Sequence, residues 1–221
     1  MSDSLTTLIS KLQAVLLDDG TIFSTATCTA AIRHALSQID LRLPVHGGAL
    51  LDTVADQYEY ELTDALAGAT PLTITDVLLA DPAGGEYDTS LDFDSFNEDE
   101  RWYLRLREPQ PADLQLIVRF TQTHTVDGLD SATESTLTAQ ADVVLLDAAA
   151  AQACCIAAAG KIQANNLDPN VSANYLKAAD RFRSAFEFGL QSLSHRTRVQ
   201  KSVPDARTWD DAWHNWPHGL I

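Results

Sequence analysis

Between Val143 and Gly160 the chain is almost wholly apolar and mostly alanine: Ala148 to Ala151, Ala153 and Ala157 to Ala159, interrupted by Asp147 and Gln152. Alanine favours helix more than any other residue, yet its side chain is too small to bury much surface alone. A helix over about 140–164, on the order of 37 Å long, is therefore held only if a neighbouring helix axis comes close. This element is expected to be the central packing helix of a domain or of an oligomer, with Ala150, Cys154, Ala157 and Ala158 at the contact. Mostly alanine and interrupted by Asp147 and Gln152, the stretch reads as too weakly apolar for a membrane span.

The remaining periodicity divides the chain into helices, then strands, then helices. Leu5, Leu8, Ile9, Leu12, Val15 and Leu16 recur at helical spacing and predict a helix over 4–17, capped by Ser2, Asp3 or Ser4 and ended by Asp18-Asp19-Gly20. Ile32, Leu36 and Ile39 predict a second over 27–40, with Ser24 or Thr25 at its start; Pro44 and His46-Gly47-Gly48 then read as a close to the helical pair. From about 50 to 126 the period becomes two. Gln57 to Leu62, Pro71 to Leu79, Arg101 to Arg107 and Leu114 to Thr125 read as four strands of a small antiparallel sheet, with Trp102, Leu104 and Leu106 facing inward. Asp81 to Glu100 reads as a long acidic loop. A last helix is expected over 172–193, with Tyr175, Ala179, Phe182, Phe186 and Leu193 inside. The fold class is thus α+β: a helical bundle with an inserted antiparallel sheet, in a single domain over 1–195, followed by an extended arm over 196–221.

Charge narrows the function. With 15 Lys+Arg against 31 Asp+Glu the net charge is −16, which disfavours sequence-independent nucleic-acid binding and attachment to an anionic membrane, since both work by neutralising phosphates with cations. The charge is also segregated. Fourteen acids and no Lys or Arg fall between Leu43 and Glu100, whereas eight cations face four acids between Lys161 and Arg207. Complementary surfaces of this kind suit self-association or a channel wall. The amino terminus has no cationic segment and no apolar core of a signal peptide. Three cysteines, two of them adjacent, make no disulfide framework and suggest folding in a reducing compartment.

The stretch from Arg196 lacks a sustained apolar period and contains Pro204 and Pro217, yet it holds three of the four tryptophans: Trp209, Trp213 and Trp216. A solvated tail has no use for indoles that each bury about 150–250 Å². The arm either folds back on its own subunit or, as preferred here, docks on a neighbour through Trp209, Trp213, Trp216, Arg196, Arg198, Lys201 and Arg207.

No catalytic pattern survives inspection. The chain lacks a P-loop, G-x-S-x-G, C-x-x-C and H-E-x-x-H. His46-Gly47-Gly48 has no nucleophile to serve. Asp92-Phe93-Asp94-Ser95-Phe96-Asn97 opens like a calcium loop but puts Asn97 where the turn needs glycine, and His214 and His218 flank Pro217 without a third ligand. His34 and His124 read as ordinary surface or hydrogen-bonded histidines. No enzyme, metal or cofactor is expected.

Leu116-Ile117-Val118-Arg119-Phe120-Thr121-Gln122-Thr123-His124-Thr125-Val126-Asp127-Gly128-Leu129-Asp130, followed by a T-E-S-T turn and the alanine helix, resembles the head-to-tail connector proteins of tailed bacteriophages, also called adaptor or head-completion proteins. The order of elements over Leu5 to Leu193 resembles them too. The resemblance implies a virion structural protein that forms a homo-oligomeric, usually dodecameric, ring beneath the portal protein at the capsid's unique vertex. It would be made and assembled in the bacterial host cytoplasm. It would meet a downstream neck or tail protein through its strand region and let DNA pass without specific binding. On that reading Asp88, Asp92, Asp94, Glu98, Asp99 and Glu100 line or rim the channel, and the arm grips the portal. The alternative is an acidic soluble binding protein such as a DNA-mimic inhibitor.

Overall fold

A computed structural model describes residues 3–18, 20–66, 71–80, 90–99, 101–112, 114–163 and 169–202. Its elements are α1 (Leu5–Val15), α2 (Thr25–Asp40), β1 (Val45–Asp52), β2 (Glu59–Glu61), β3 (Pro71–Ala80), β4 (Phe93–Glu98), β5 (Arg101–Leu106), β6 (Gln115–Gln122), α3 (Ala139–Gln163) and α4 (Pro169–Ser202). The class is α+β. The chain divides into two compact units: Leu36–Thr136 forms one, and the segments before and after it form the other.

The helical unit is built on the periodicities of its sequence. Leu8, Ile9 and Leu12 bury one side of α1, and Cys28, Ala31, Ile32 and Ala35 bury one side of α2. Ser24 caps α2: its hydroxyl accepts the Thr27 N–H at 3.2 Å, which satisfies a backbone donor that a helix start leaves free. Between the α1 and α2 helices, the Asp18 carboxylate accepts the N–H groups of Phe23 (2.8 Å), Gly20 (3.1 Å) and Ile22 (3.2 Å). Leucine, alanine and valine line the inner side of α3, and Ala179, Phe186 and Leu190 line that of α4. The connection from Gln163 to Pro169 is short, so α3 and α4 pack as antiparallel neighbours. They come close at Gly189, where an added Cβ would lie 2.8 Å from Val144 Cγ2.

Helix α4 begins earlier and ends later than the apolar spacing predicts. It continues through Ser202, seven residues into the stretch read as an extended arm. Arg, Gln and Lys propagate a helix without an apolar stripe. Residues 203–221 lie outside those described.

The strand unit differs from the single four-stranded sheet expected. It holds two three-stranded antiparallel sheets, ordered β1-β6-β3 and β2-β5-β4. Strand β1 occupies the segment read as the close of the helical pair, and β4 occupies part of the supposed acidic loop. Of the two glycines that suggested a turn at β1, Gly47 is there for packing. Gly47 faces Phe120 in register, and a Cβ at Gly47 would lie 2.6 Å from the Phe120 ring. The β6 alternation holds as read, with Leu116, Val118 and Phe120 all buried. One core draws on both sheets, including Ala49, Ile74 and Val77 from the first and Tyr60, Leu104 and Leu106 from the second.

Candidate interaction surfaces

The positions assigned to helix packing fall on α3. Ala150, Cys154 and Ala158, spaced four apart along α3, are buried within the helical unit, and Ala157 is half-buried beside them. Val143 (61% exposed), near the start of the helix, and Ile156 (36%) are exposed apolar residues of the same helix. By length and composition Ala139–Gly160 is apolar enough to cross a membrane, contrary to the sequence expectation, with a mean hydropathy of 1.8. Half of that stretch is buried inside the protein, which is what a core helix requires.

The acidic segment resolves into a patterned sheet face. Strand β4 pairs with β5 so that Asp94 lies opposite Arg105, Phe96 opposite Tyr103 and Glu98 opposite Arg101. On the far side of β5, Arg105 donates to Glu59 Oε2 from Nη2 (2.6 Å) and Nε (3.1 Å), and Arg101 donates to Glu61 Oε1 at 3.2 Å. The Phe96 and Tyr103 rings stack at 5.3 Å with a 14° interplanar angle, and the Arg105 guanidinium lies 5.6 Å from the Phe96 centroid. The outer face of β2-β5-β4 is therefore an aromatic pair set in a grid of charges. Exposed ion pairs such as these contribute only about 0.2–1 kcal/mol each, so the grid orders the face more than it stabilises the fold. Asp94 and Glu98, on either side of Phe96, have no ion-pair partner among the described residues. Asp99 takes the hairpin turn at φ 50. Asp92, Asp94, Glu98 and Asp99 are all exposed, while Asp88 and Glu100 lie outside the described residues. The segment from Asp92 to Asn97 is mainly strand, not a calcium-binding loop.

The cationic quarter is likewise partly ordered. Lys177, Arg181, Ser184 and Phe188 follow one another at spacings of four, three and four on α4 and are all exposed. They lie opposite the buried side formed by Ala179, Phe186 and Leu190. Phe188 is 73% exposed. The sequence reading places Phe186 in the inner stripe and gives Phe188, two residues on and therefore on the opposite side of the helix, no role. Arg196, Arg198 and Lys201 belong to the last turns of α4. Arg207, Trp209, Trp213 and Trp216 lie outside the described residues.

Burial and hydrogen bonding push the titratable groups in opposite directions. Burial raises Asp18, but the N–H groups of Phe23, Ile22 and Gly20 and the Thr21 hydroxyl outweigh it and hold the carboxyl below its ordinary 3.8. Burial raises Asp40, partly offset by the His124 N–H, which donates to Asp40 Oδ1 at 2.7 Å. Burial also raises Asp142 and Asp147. Asp142 Oδ2 accepts the Asp3 N–H at 3.0 Å, while its Oδ1 is buried with no hydrogen-bond partner among the described residues. Burial, with Cys155 beside it, pushes the Cys154 thiol up to about 11, and burial raises Cys28.

His124 is a structural residue of the strand unit. Its Nε2 lies 2.9 Å from the Leu43 carbonyl and its Nδ1 3.2 Å from Thr136 Oγ1, which also accepts the Thr125 N–H at 2.9 Å. That arrangement places the proton on Nε2. Among the described residues no three His, Cys, Asp or Glu side chains converge on a metal position; His214 and His218 are not among them. A cleft of about 440 Å³ is lined by Ser90, Leu91, Asp92, Arg107, Glu108 and Gln110, and the Ser90 hydroxyl donates to Asp76 Oδ1 at 2.7 Å.

No family model and no curated protein matches the chain. Solved structures similar to it include two from phage-like particles. One is the neck of an empty gene transfer agent particle computed with C6 symmetry: 15% identity, 64% of this chain and 74% of that chain covered, TM-score 0.30. The other is the virion of a native gene transfer agent particle: 16% identity, 57% and 64% covered, TM-score 0.29. At such scores most of the backbone does not superpose, and neither the fold nor the function described for this chain rests on the likeness.

Proposed function

We propose that this chain is a virion structural protein: a head-to-tail adaptor whose copies close into a dodecameric ring between the portal and the next neck or tail protein. The observation that carries the reading is the order of elements. Two helices, a strand unit and a long pair of helices follow one another as the resemblance of the β6-to-α3 segment implies. The helix pair packs through small residues, and a contact between two different faces of one subunit closes into a ring when its rotation permits. The gene transfer agent chains belong to a comparable setting, and the reading does not lean on them.

In this role the exposed Asp92 and Asp99, together with Asp88 and Glu100, give the strand unit an acidic rim that repels DNA phosphates, so the genome passes without sticking, while Asp94 and Glu98 on the sheet face are left for contacts between copies. Residues 196–216, with Trp209, Trp213 and Trp216, anchor the ring to the portal. The protein is then made in the host cytoplasm and resides in the neck at the portal vertex. A DNA-mimic role gains no support, because Glu59 and Glu61 are already engaged by arginines.

Native mass spectrometry with and without portal tests the reading. The full chain is expected to form rings, alone at high concentration or on the portal. A chain ending at Ser202 keeps α4 whole and is expected to lose portal docking with unchanged helical circular dichroism. A full chain that stays at 24.1 kDa under every condition refutes the ring, and docking by the shortened chain refutes the arm.

A further inference from the structure

We propose that the ring contact is made by the outer side of α4 of one copy docking on the outer face of the β2-β5-β4 sheet of the next. The proposal rests on the ring reading for the statement that copies meet, and on the two faces for how they meet. One face offers Lys177 and Arg181, without ion-pair partners among the described residues, on the same side of α4 as the exposed ring of Phe188. The other offers Asp94 and Glu98, likewise without ion-pair partners, with the Phe96–Tyr103 stack between them.

The spacing allows one charge contact at each seat. Along β4 the two carboxylates stand about 7 Å from Phe96 on opposite sides, two residues at ~3.3 Å each. Along α4, Arg181 and Lys177 stand about 10 Å and about 16 Å from Phe188, both toward the amino end, at ~1.5 Å per residue. Phe188 set against the aromatic stack brings Arg181, whose flexible side chain covers the remaining few ångströms, to one β4 carboxylate, with Lys177 adding to the same positive field. Arg101 and Arg105 stay engaged by Glu61 and Glu59, so the contact does not place free like charges together. The two faces are different, so each copy presents both, and the contact propagates from copy to copy rather than ending at a pair.

A charge-reversal exchange on full-length chains tests this. Lys177→Glu with Arg181→Glu makes one variant, and Asp94→Lys with Glu98→Lys makes the other; circular dichroism verifies that each folds. Each variant alone is expected to lose assembly and run at the monomer mass by native mass spectrometry. An equimolar mixture is expected to regain it, with equal numbers of the two variants alternating, because every contact in the mixture again joins opposite charges. Phe188→Ala, at a side chain already exposed in the subunit, is expected to raise the concentration needed for assembly about tenfold or more, as loss of an aromatic anchor does. Wild-type assembly with undiminished assembly of either reversed variant or of Phe188→Ala overturns the contact and leaves the ring standing. A mixture that fails to reassemble also overturns it. Wild-type chains that never assemble overturn both.

Discussion

Gly47 shows how one residue sets the packing of a sheet. Its missing Cβ leaves the space that the Phe120 ring fills from the paired strand. Gly47→Ala forces either the ring or the β1 backbone to move, and overpacking of this kind costs about 1–3 kcal/mol. A urea titration is expected to show the midpoint falling with an unchanged slope, while Gly48→Ala, whose Cβ would meet nothing closer than 4.0 Å, is expected to be mild. The same residue explains why β1 was illegible. Two adjacent glycines are a turn signal in a sequence, and only the partner strand shows that one of them is room for an aromatic ring. Tyr103 and Phe96 were missed for a related reason: Phe96 lies among acids, and its strand identity comes from pairing with β5.

At the scale of elements, α3 was the most legible part of the chain, because alanine density states both the helix and the closeness of its neighbour. Its buried and half-exposed cysteines give a direct test. Cys154 is 2% exposed with its thiol pushed up to about 11, whereas Cys155 is half-exposed, its Sγ 3.9 Å from Arg183 Nη2. The thiolate is the reactive form. Iodoacetamide at neutral pH is therefore expected to modify Cys155 first, with Cys154 and Cys28 reacting only on unfolding. Mass spectrometry of the digested protein reads the order, and early labelling of Cys154 would show that α3 is not packed as described. The far end of α4 was less legible, since a helix without an apolar stripe announces itself only through propensity.

For the whole molecule, charge segregation was plain in the sequence, but its consequence for stability depends on burial. Asp40, Asp142 and Asp147 have folded-state pKa values above 3.8, so the unfolded chain is the better acid at these sites. Their contribution to stability is full below 3.8 and is lost as pH rises through the raised values. Asp18 has the opposite sign: its contribution is present above 3.8 and lost as pH falls through its lowered value. Acidification also relieves the repulsion within a chain of net charge −16. The melting temperature is therefore expected to rise as pH falls from 7 to about 5, and to fall again only once Asp18 and its like are protonated. Asp147→Ala, at a site with no hydrogen-bond or ion-pair partner among the described residues, is expected to stabilise the protein at pH 7 by about 0.5 kcal/mol from helix propensity alone, with more from removing a desolvated charge. A melting temperature that drops steadily below pH 7 would contradict this account.

The helical unit is assembled from two stretches of chain separated by the whole of Leu36–Thr136. On a translating ribosome α1 and the start of α2 emerge long before α3 and α4, the helices that complete their core. The intervening segment is contiguous and can condense as soon as it is made, whereas the first helices must wait, their leucines uncovered, until synthesis has passed Leu190. Birth order thus runs from the inside of the sequence outward, and α1 is the piece most in need of shelter by a chaperone.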